Sequence, residues 1–229
     1  MKIPGPHLTR PTTFAHVEWL FFDMGSTLVD DCAAYRQWFA NAAALTGGAL
    51  SALDIEREYC AGMARYQPTI AGQLRPYGFT GASAENLYPA ELDQAYPEAQ
   101  SLLERLAGSY KLGVIANQSP GSQARLQRYG LLSYFLVVVA SAEAGVAKPD
   151  PRIFELALAE AGCTPTTALM IGDRPDNDIY PAKRLGLKTV RIRQGYAASQ
   201  EPRSPDYEAD VTVDHLTDLL PLFLAATNQ

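Results

Sequence analysis

The sequence predicts an α/β fold, in which a parallel sheet is covered by helices on both faces and carries an inserted all-helical cap. Short apolar runs alternate with helical patterns from residue 97 onward, and the connections between them are short. Another apolar run, residues 17–22, precedes this region and must join the same sheet. The residues between this first run and residue 97 have helical periodicity. We therefore expect a core domain of residues 1–30 and 97–229 and a cap domain of residues 31–96.

The composition predicts a globular protein without extended binding surfaces for polyanions. The chain has 229 residues, 47% hydrophobic and 19% charged, and a net charge of −6. This charge argues against a general affinity for nucleic acids or anionic membranes, and no apolar stretch approaches the ~20 residues of a membrane helix. Three cysteines without metal-binding spacing are typical of reduced thiols. We expect a cytoplasmic protein with no nucleic-acid or membrane partner, while the sequence leaves the oligomeric state open.

The first apolar run ends on a carboxylate. Residues 17–22 show no polar alternation, which predicts a strand buried on both faces. Asp23 follows at once, and an ionised carboxylate in this position is costly unless something pairs with it. Gly25, Ser26 and Thr27 then allow a tight turn and offer amides and hydroxyls to an anion. Taken alone, the stretch fits a strand that ends in an Asx turn as well as it fits a functional site.

The insertion begins as a helical hairpin. Residues 32–66 have apolar side chains at helical spacing, and Gly47 and Gly48 separate the two predicted helices. Ser51, with Asp54 three residues later, predicts the N-terminal cap of the second helix. Residues 67–90 are rich in Pro and Gly, which predicts a loop-rich passage in which substrate specificity would lie.

Beyond the insertion, strands and helices alternate regularly. The predicted strands are residues 112–116, 135–140, 168–171, 188–192 and 211–213. The predicted helices begin at Pro97, Ser122, Pro151 and Leu216, and a further one ends at Gly186. This order is typical of a Rossmann-like sheet, in which ligands bind beyond the carboxyl ends of the strands.

Polar residues occupy that edge of the predicted sheet. They are Asp23, Asn117, the loop that contains Lys148, and Asp173 with Asp178. Carboxylates brought together repel one another unless a cation joins them. Ligands that offer only oxygen, without nearby His or Cys, favour Mg²⁺, and Lys148 would supply a second positive charge.

Such a cluster suits phosphoryl transfer. A carboxylate such as Asp23 can attack phosphorus and form an aspartyl-phosphate that water later hydrolyses. Mg²⁺ and Lys148 would reduce the repulsion between the two anions, which is the main obstacle to that attack. The Thr27 hydroxyl would orient the phosphoryl group or the Asp23 carboxylate.

Four motifs in chain order resemble those of the haloacid dehalogenase superfamily: segment 23–28, Asn117, segment 145–154 and segment 171–179. The insertion resembles that superfamily's C1-type helical cap, and the resemblance extends over residues 17–224. It implies a hydrolase of a small phosphorylated substrate. It further implies Asp23 as nucleophile, Lys148 as charge neutraliser, and Mg²⁺ contacts from Asp23, the Gly25 carbonyl and Asp173, with Asp178 as a metal or supporting carboxylate.

Two positions depart from this pattern. Phosphatases of the superfamily usually carry a second Asp two positions after the nucleophile, as general acid and base, where this chain has Gly25. General acid-base help is worth about 10²–10⁴ in rate. A Ser or Thr usually precedes the Asn of the second motif, and here that residue is Ala116. The hydroxyl that would donate a hydrogen bond to the phosphate is therefore missing, and Asn117 or Ser119 would have to supply that donor.

Three functions are compatible with these motifs. The first is a Mg²⁺-dependent phosphatase of a small metabolite, with Asp30, Asp31 or a cap residue as proton donor. The second is a catalytically silent member that binds a phosphorylated ligand or a protein partner, which both departures favour. The third is a 2-haloacid dehalogenase, since those members also lack the second Asp; the carboxylates of the fourth motif count against it.

Overall fold

Six parallel strands form the central sheet of the computed structural model, which describes residues 14–67, 74–78 and 87–224. In chain order the eight strands of the described residues are β1 (Trp19–Phe22), β2 (Val29–Asp30), β3 (Gln94–Ala95), β4 (Lys111–Ala116), β5 (Val137–Ala140), β6 (Ala168–Gly172), β7 (Lys188–Ile192) and β8 (Val211–Val213), of which β2 and β3 lie outside the central sheet. The order across the sheet is β5-β4-β1-β6-β7-β8. The chain adds strands on one side of β1 and then on the other, so the strand order reverses at β1.

Helices cover both faces of this sheet, and a further pair lies in the insertion. In chain order the α-helices of the described residues are α1 (Cys32–Ala44), α2 (Ala52–Ala64), α3 (Ala99–Ala107), α4 (Ser122–Arg128), α5 (Ser141–Ala144), α6 (Pro151–Ala161), α7 (Tyr180–Leu185) and α8 (Leu219–Phe223). Helices α3 and α8 pack in one hydrophobic cluster with the sheet, and helices α6 and α7 pack in a second cluster. The predicted parallel α/β fold is therefore confirmed. None of the helices in the described part of the chain is long and apolar enough to cross a membrane.

Strand β1 lies at the centre of the molecule. It pairs with β4 along one edge and with β6 along the other. Leu20 and Phe22 pack in the first cluster, whereas Trp19 and Phe21 pack in the second, because successive side chains of a strand point to opposite faces. All four are buried. Truncation of a buried Phe to Ala costs about 3–5 kcal/mol, so this strand is a rigid support for Asp23.

Helices α1 and α2 form the predicted hairpin. Gly47 and Gly48, at φ of +61° and +90°, lie between them, and only glycine adopts such angles without strain. Ser51 and Asp54 form a reciprocal capping box at the start of α2. The hairpin packs in a third hydrophobic cluster, separate from the two that cover the sheet. The predicted domain boundaries remain a prediction, and most of the loop-rich passage 67–90 lies outside the described residues.

A small antiparallel ribbon joins the two ends of the insertion. Val29 pairs with Ala95 and Asp30 with Gln94, and the sequence analysis did not predict these strands. Two residues are too few to show a periodic pattern, and the pairing joins segments more than 60 positions apart. The ribbon holds the chain close to Asp23 as it leaves and re-enters the sheet domain.

Candidate active site

The predicted polar residues come together at the carboxyl edge of the sheet. Asp23 follows β1, Asn117 follows β4 and Asp173 follows β6, which are the three central strands. Lys148 reaches the same place from the loop between α5 and α6, and Asp178 from a π-helical turn, Pro175–Ile179. All five line one cavity of about 900 Å³. The sheet order therefore explains why residues far apart in sequence share a site.

Lys148 is the centre of the polar contacts. Its ammonium is buried and donates to Asp23 Oδ1 at 2.6 Å, to Asp178 Oδ1 at 2.6 Å and to the Ile115 carbonyl at 2.8 Å. These three acceptors match the three protons of the ammonium. Burial alone would lower the pKa of Lys148, but the carboxylates of Asp178 and Asp23 raise it above its ordinary value. The lysine is therefore a permanent positive charge beside Asp23.

Three carboxylates form a compact acidic cluster. Oxygen atoms of Asp23, Asp173 and Asp178 lie within 4.8 Å of one another. Burial, together with the charges on Asp178 and Asp23, raises the pKa of Asp173 well above its ordinary value. Burial also raises the pKa of Asp178, against the lowering effect of Lys148. The cluster offers only carboxylate oxygens, and Lys148 is paired with two of its three acids. Such a set of ligands, with more negative than positive charge, fits a hard divalent cation.

The backbone positions Asp178 closely. The Arg174 amide donates to Asp178 Oδ2 at 2.9 Å. A Cβ atom at Gly172 would overlap the Asp178 carboxyl, so only glycine allows the end of β6 to approach this side chain. This contact explains physically why Gly172 precedes Asp173 in the fourth motif.

Asn117 is engaged with the backbone of Lys148. Its Nδ2 donates to the Lys148 carbonyl at 2.8 Å, and its Oδ1 accepts from the Lys148 amide at 2.7 Å. The side chain thus fixes the loop that presents the lysine. The predicted contact of Asn117 with substrate stays a prediction, and Ser119 also lines the cavity beside it.

Thr27 is fully buried, four positions after Asp23. Its hydroxyl has no hydrogen-bond partner among the described residues, although buried polar groups are usually paired. The predicted role of Thr27 in orienting a phosphoryl group or Asp23 remains untested by these contacts. The hydroxyl is nevertheless free to make one further hydrogen bond.

A carboxyl group stands beside Gly25. A Cβ atom built on Gly25 would lie 2.8 Å from Asp31 Oδ2. Asp31 is 7% exposed, lines the cavity, and accepts a hydrogen bond from the Ser26 hydroxyl at 2.7 Å. Burial raises the pKa of Asp31 to about 7, although the Ser26 hydrogen bond lowers it. Asp30, by contrast, is exposed, and its carboxylate accepts from the Cys32 amide.

Four packed aromatic side chains form a wall of the cavity. Tyr35 packs against Trp38, Tyr88 and Tyr196 with ring centroids 5.7, 5.6 and 4.9 Å away. All four line the cavity. These residues were not predicted as site residues, because the helical spacing of Tyr35 and Trp38 is equally typical of a hydrophobic core. Tyr196 comes from the loop after β7, which no local pattern connects with α1.

Few cations line the cavity. Among its described lining residues only Lys148 and Arg174 are basic, and the Arg174 guanidinium is paired with Asp176 at 2.6 Å. Asp93 lines the cavity as well and accepts from the Tyr88 hydroxyl at 2.8 Å. The described lining is therefore acidic overall.

The strand order and the position of the polar residues define an α/β protein of the doubly wound class, with its site at the strand-order reversal. The sequence matches the haloacid dehalogenase-like hydrolase family over residues 17–186. The chain therefore belongs to the haloacid dehalogenase-like hydrolases, and the resemblance inferred from the four motifs is confirmed.

Similar proteins include several phosphatases. The chain is 39% identical over 127 residues to the glyceraldehyde 3-phosphate phosphatase of Methanopyrus kandleri, which covers 55% of this chain and 54% of that protein. It is 36% identical over 132 residues to the phosphoserine phosphatase of Thermus thermophilus, which covers 57% and 50% respectively. The matched region thus spans about half the length of these relatives. A magnesium-bound HAD hydrolase of Bacillus subtilis shares the fold, with a TM-score of 0.71 at 22% identity over 90% of this chain and 98% of that chain.

Proposed function

We propose that the chain is a Mg²⁺-dependent phosphatase that transfers the phosphoryl group of a small phosphorylated metabolite to Asp23 and then to water. The observation that carries the proposal is the cluster of Asp23, Asp173 and Asp178 around a buried lysine at the carboxyl edge of β1. The phosphatases among the similar proteins support the same reaction class.

The residues present fit a magnesium ion. The carboxylates of Asp23 and Asp173 and the backbone carbonyl of Gly25 would hold it, with Asp178 as a further or supporting carboxylate. Burial raises the pKa of Asp173, and the negative charges of Asp178 and Asp23, which a cation would offset, raise it further. When bound, Mg²⁺ supplies positive charge that reduces the repulsion between carboxylate and phosphoryl oxygens.

The side chains of the site have separate tasks in this reaction. Asp23 attacks phosphorus while the Lys148 ammonium keeps the carboxylate oriented and offsets the negative charge that gathers there. Asn117 keeps Lys148 in place through its backbone, and the free Thr27 hydroxyl donates to a phosphoryl oxygen. Water then hydrolyses the aspartyl-phosphate and regenerates Asp23.

The shape and charge of the cavity indicate the kind of leaving group. The aromatic wall of Tyr35, Trp38, Tyr88 and Tyr196 offers apolar area in the same cavity as Asp23. The scarcity of unpaired cations among the described lining residues disfavours a second anionic group on the substrate. We therefore assign a phosphomonoester whose remaining part is uncharged or carries a positive charge.

The insertion forms a cap domain in this proposal. Its side chains have a hydrophobic cluster of their own, and the loop after β7 joins that cluster through Ala197. Further contacts between insertion and core are the bonds from Tyr196 Oη to Glu56 and from Gln200 Nε2 to the Met63 carbonyl. These contacts support a cap in which helix α2 lies against the loop after β7.

Phosphate release from p-nitrophenyl phosphate tests the proposal. We expect turnover that requires Mg²⁺, stops on addition of EDTA, and is lost in Asp23→Asn, because the amide cannot attack phosphorus. Asp30→Asn is the matched control, since that carboxylate is exposed and caps Cys32, and its activity should equal that of the wild type.

Other outcomes would support the other functions. Folded, Mg²⁺-loaded protein that releases no phosphate from a broad panel of phosphomonoesters, yet binds them in calorimetry, would identify a silent binding member. Release of halide from 2-haloacids that EDTA does not affect would identify a dehalogenase. Either result would replace the phosphatase proposal.

A further inference from the structure

We propose that the Asp31 carboxyl is the proton donor to the leaving oxygen, in place of the side chain that Gly25 lacks. The inference rests on the proposed phosphatase function and adds a catalytic residue to it. Nothing in the four sequence motifs assigns this role to position 31, which lies outside all of them.

The position of the carboxyl is the first observation. Asp31 Oδ2 lies 2.8 Å from the point that a Cβ atom on Gly25 would occupy. A longer side chain at position 25 and the Asp31 carboxyl would therefore compete for the same space. Both residues line the cavity together with Asp23. The chain thus delivers an acid to the same space from the start of α1 rather than from the turn after β1.

The orientation of the carboxyl is the second observation. Asp31 lies at the N-cap position of α1, but its side chain makes no capping hydrogen bond, and the Cys32 amide is bonded by Asp30 instead. The Asp31 Oδ1 atom accepts from the Ser26 hydroxyl at 2.7 Å. Ser26 has a positive φ of 51°, and this unusual backbone conformation holds its hydroxyl toward Asp31. Helix formation therefore does not account for the placement of the carboxyl.

Two other acids near the site are worse placed than Asp31. Asp30 is exposed and does not line the cavity, and no Asp93 atom is among those nearest the Cβ position of Gly25.

The proton transfers balance over the two steps. In the first, the bond from Asp23 to phosphorus forms while the ester P–O bond breaks, and the Asp31 proton goes to the departing alkoxide oxygen. In the second, the Asp31 carboxylate takes a proton from water as that water attacks phosphorus. The bond between phosphorus and Asp23 then breaks, which releases inorganic phosphate and restores both side chains.

Two substrates of similar size but different leaving groups test the proposal. The p-nitrophenolate of p-nitrophenyl phosphate leaves without protonation, whereas the alkoxide of benzyl phosphate needs a proton. We expect Asp31→Asn to lower kcat for benzyl phosphate by about 10²–10⁴-fold and to leave kcat for p-nitrophenyl phosphate within a few-fold of the wild type. Activity on the second substrate also shows that the variant is folded.

A relocated acid provides the rescue. Asp31→Ala removes the oxygen that would crowd a side chain at position 25, so Gly25→Asp combined with Asp31→Ala should restore part of the benzyl phosphate activity lost in Asp31→Ala alone. Asp93→Asn is the control for another cavity carboxyl and should affect both substrates equally.

The outcomes separate the two proposals. The role of Asp31 would be overturned, while the phosphatase function stands, if Asp31→Asn lowered kcat equally for both substrates or for neither. A loss of kcat confined to benzyl phosphate in Asp93→Asn would overturn it as well. A wild type that hydrolyses only p-nitrophenyl phosphate would overturn it as well. A wild type that hydrolyses neither substrate with Mg²⁺ would overturn the phosphatase function itself, and the role of Asp31 with it.

Discussion

At the scale of single residues, Thr27 carries a polar group that the fold does not pair. Its hydroxyl is buried without a partner among the described residues, and such a group costs about 1–3 kcal/mol. Thr27→Val keeps the shape and removes the hydroxyl. We expect an unchanged or higher thermal unfolding temperature, and a kcat on p-nitrophenyl phosphate that falls on the order of 10²-fold, because one donor to the phosphoryl group is lost.

Thr27→Ser is the matched control for this prediction. It keeps the hydroxyl and removes only a methyl group, so most of the activity should remain. A Val variant with the kcat of the wild type would show that the hydroxyl does not contact the phosphoryl group. The combination of lost activity with retained stability separates a functional hydroxyl from a structural one.

The sequence could place the main charges of the site but could not choose between Asp30 and Asp31. Two of these charges, Asp23 and Asp173, directly follow predicted strands, and Lys148 lies in a loop that follows another strand. Because ligands bind beyond the carboxyl ends of parallel strands, the sequence predicts that the three side chains converge there. The two adjacent acids, in contrast, lie where a short ribbon becomes a helix. The Asp30 carboxyl faces solvent, whereas the Asp31 carboxyl, one position later, faces the cavity. The path of the backbone from β2 into α1 determines which of the two acids enters the cavity.

At the scale of elements, Asp210 fixes the outermost strand to the sheet. Its Oδ2 accepts from the Thr189 amide at 2.8 Å and from the Thr189 hydroxyl at 3.0 Å, and Lys188 lies 3.1 Å from Oδ1. Burial alone would raise the pKa of Asp210, but these contacts lower it below its ordinary value. Because the folded-state pKa is the lower one, the ionised carboxylate stabilises the fold above the ordinary value and loses this effect as the pH falls through the folded-state pKa.

We therefore expect Asp210→Ala to lower the free energy of unfolding by roughly 1–2 kcal/mol near neutral pH. Urea denaturation of both proteins should show this difference shrinking as the pH falls below the ordinary value of 3.8. Asp206→Ala, an exposed acid in the same region, should leave stability unchanged. A difference that does not depend on pH would contradict the contribution of the charge.

Elements were predictable in proportion to their length. The strands β4 and β6 contain continuous apolar runs, and the helix α6 is marked at both ends by Asp150 and Gly162, which indeed cap it. The ribbon of β2 and β3 was missed because its pairing is non-local. The predicted start of α3 at Pro97 was early, since the helix begins at Ala99. Errors of two residues at helix ends are common because terminal turns fray.

At the scale of the whole molecule, the fold brings negative charges together where it is most rigid. The acidic cluster is fixed to β1 and β6, which lie between two hydrophobic clusters. The backbone cannot relax to separate the carboxylates without disturbing that core. Electrostatic repulsion in the metal-free protein is therefore a cost to stability that the proposed Mg²⁺ would offset.

We therefore expect opposite effects of Asp173→Asn on stability and on metal binding. Without metal, the variant should unfold at a higher temperature than the wild type, because it removes one of three carboxylates that lie within 4.8 Å of one another. On addition of Mg²⁺ the wild type should gain stability, by about 2.7 kcal/mol at a hundredfold excess over Kd, whereas the variant should gain little. Thermal unfolding in EDTA and in Mg²⁺ measures both effects. Asp30→Asn, which removes an exposed acid outside the cluster, should keep the full Mg²⁺ shift, and an Asp173→Asn protein that did the same would contradict the assignment of this carboxylate to the metal.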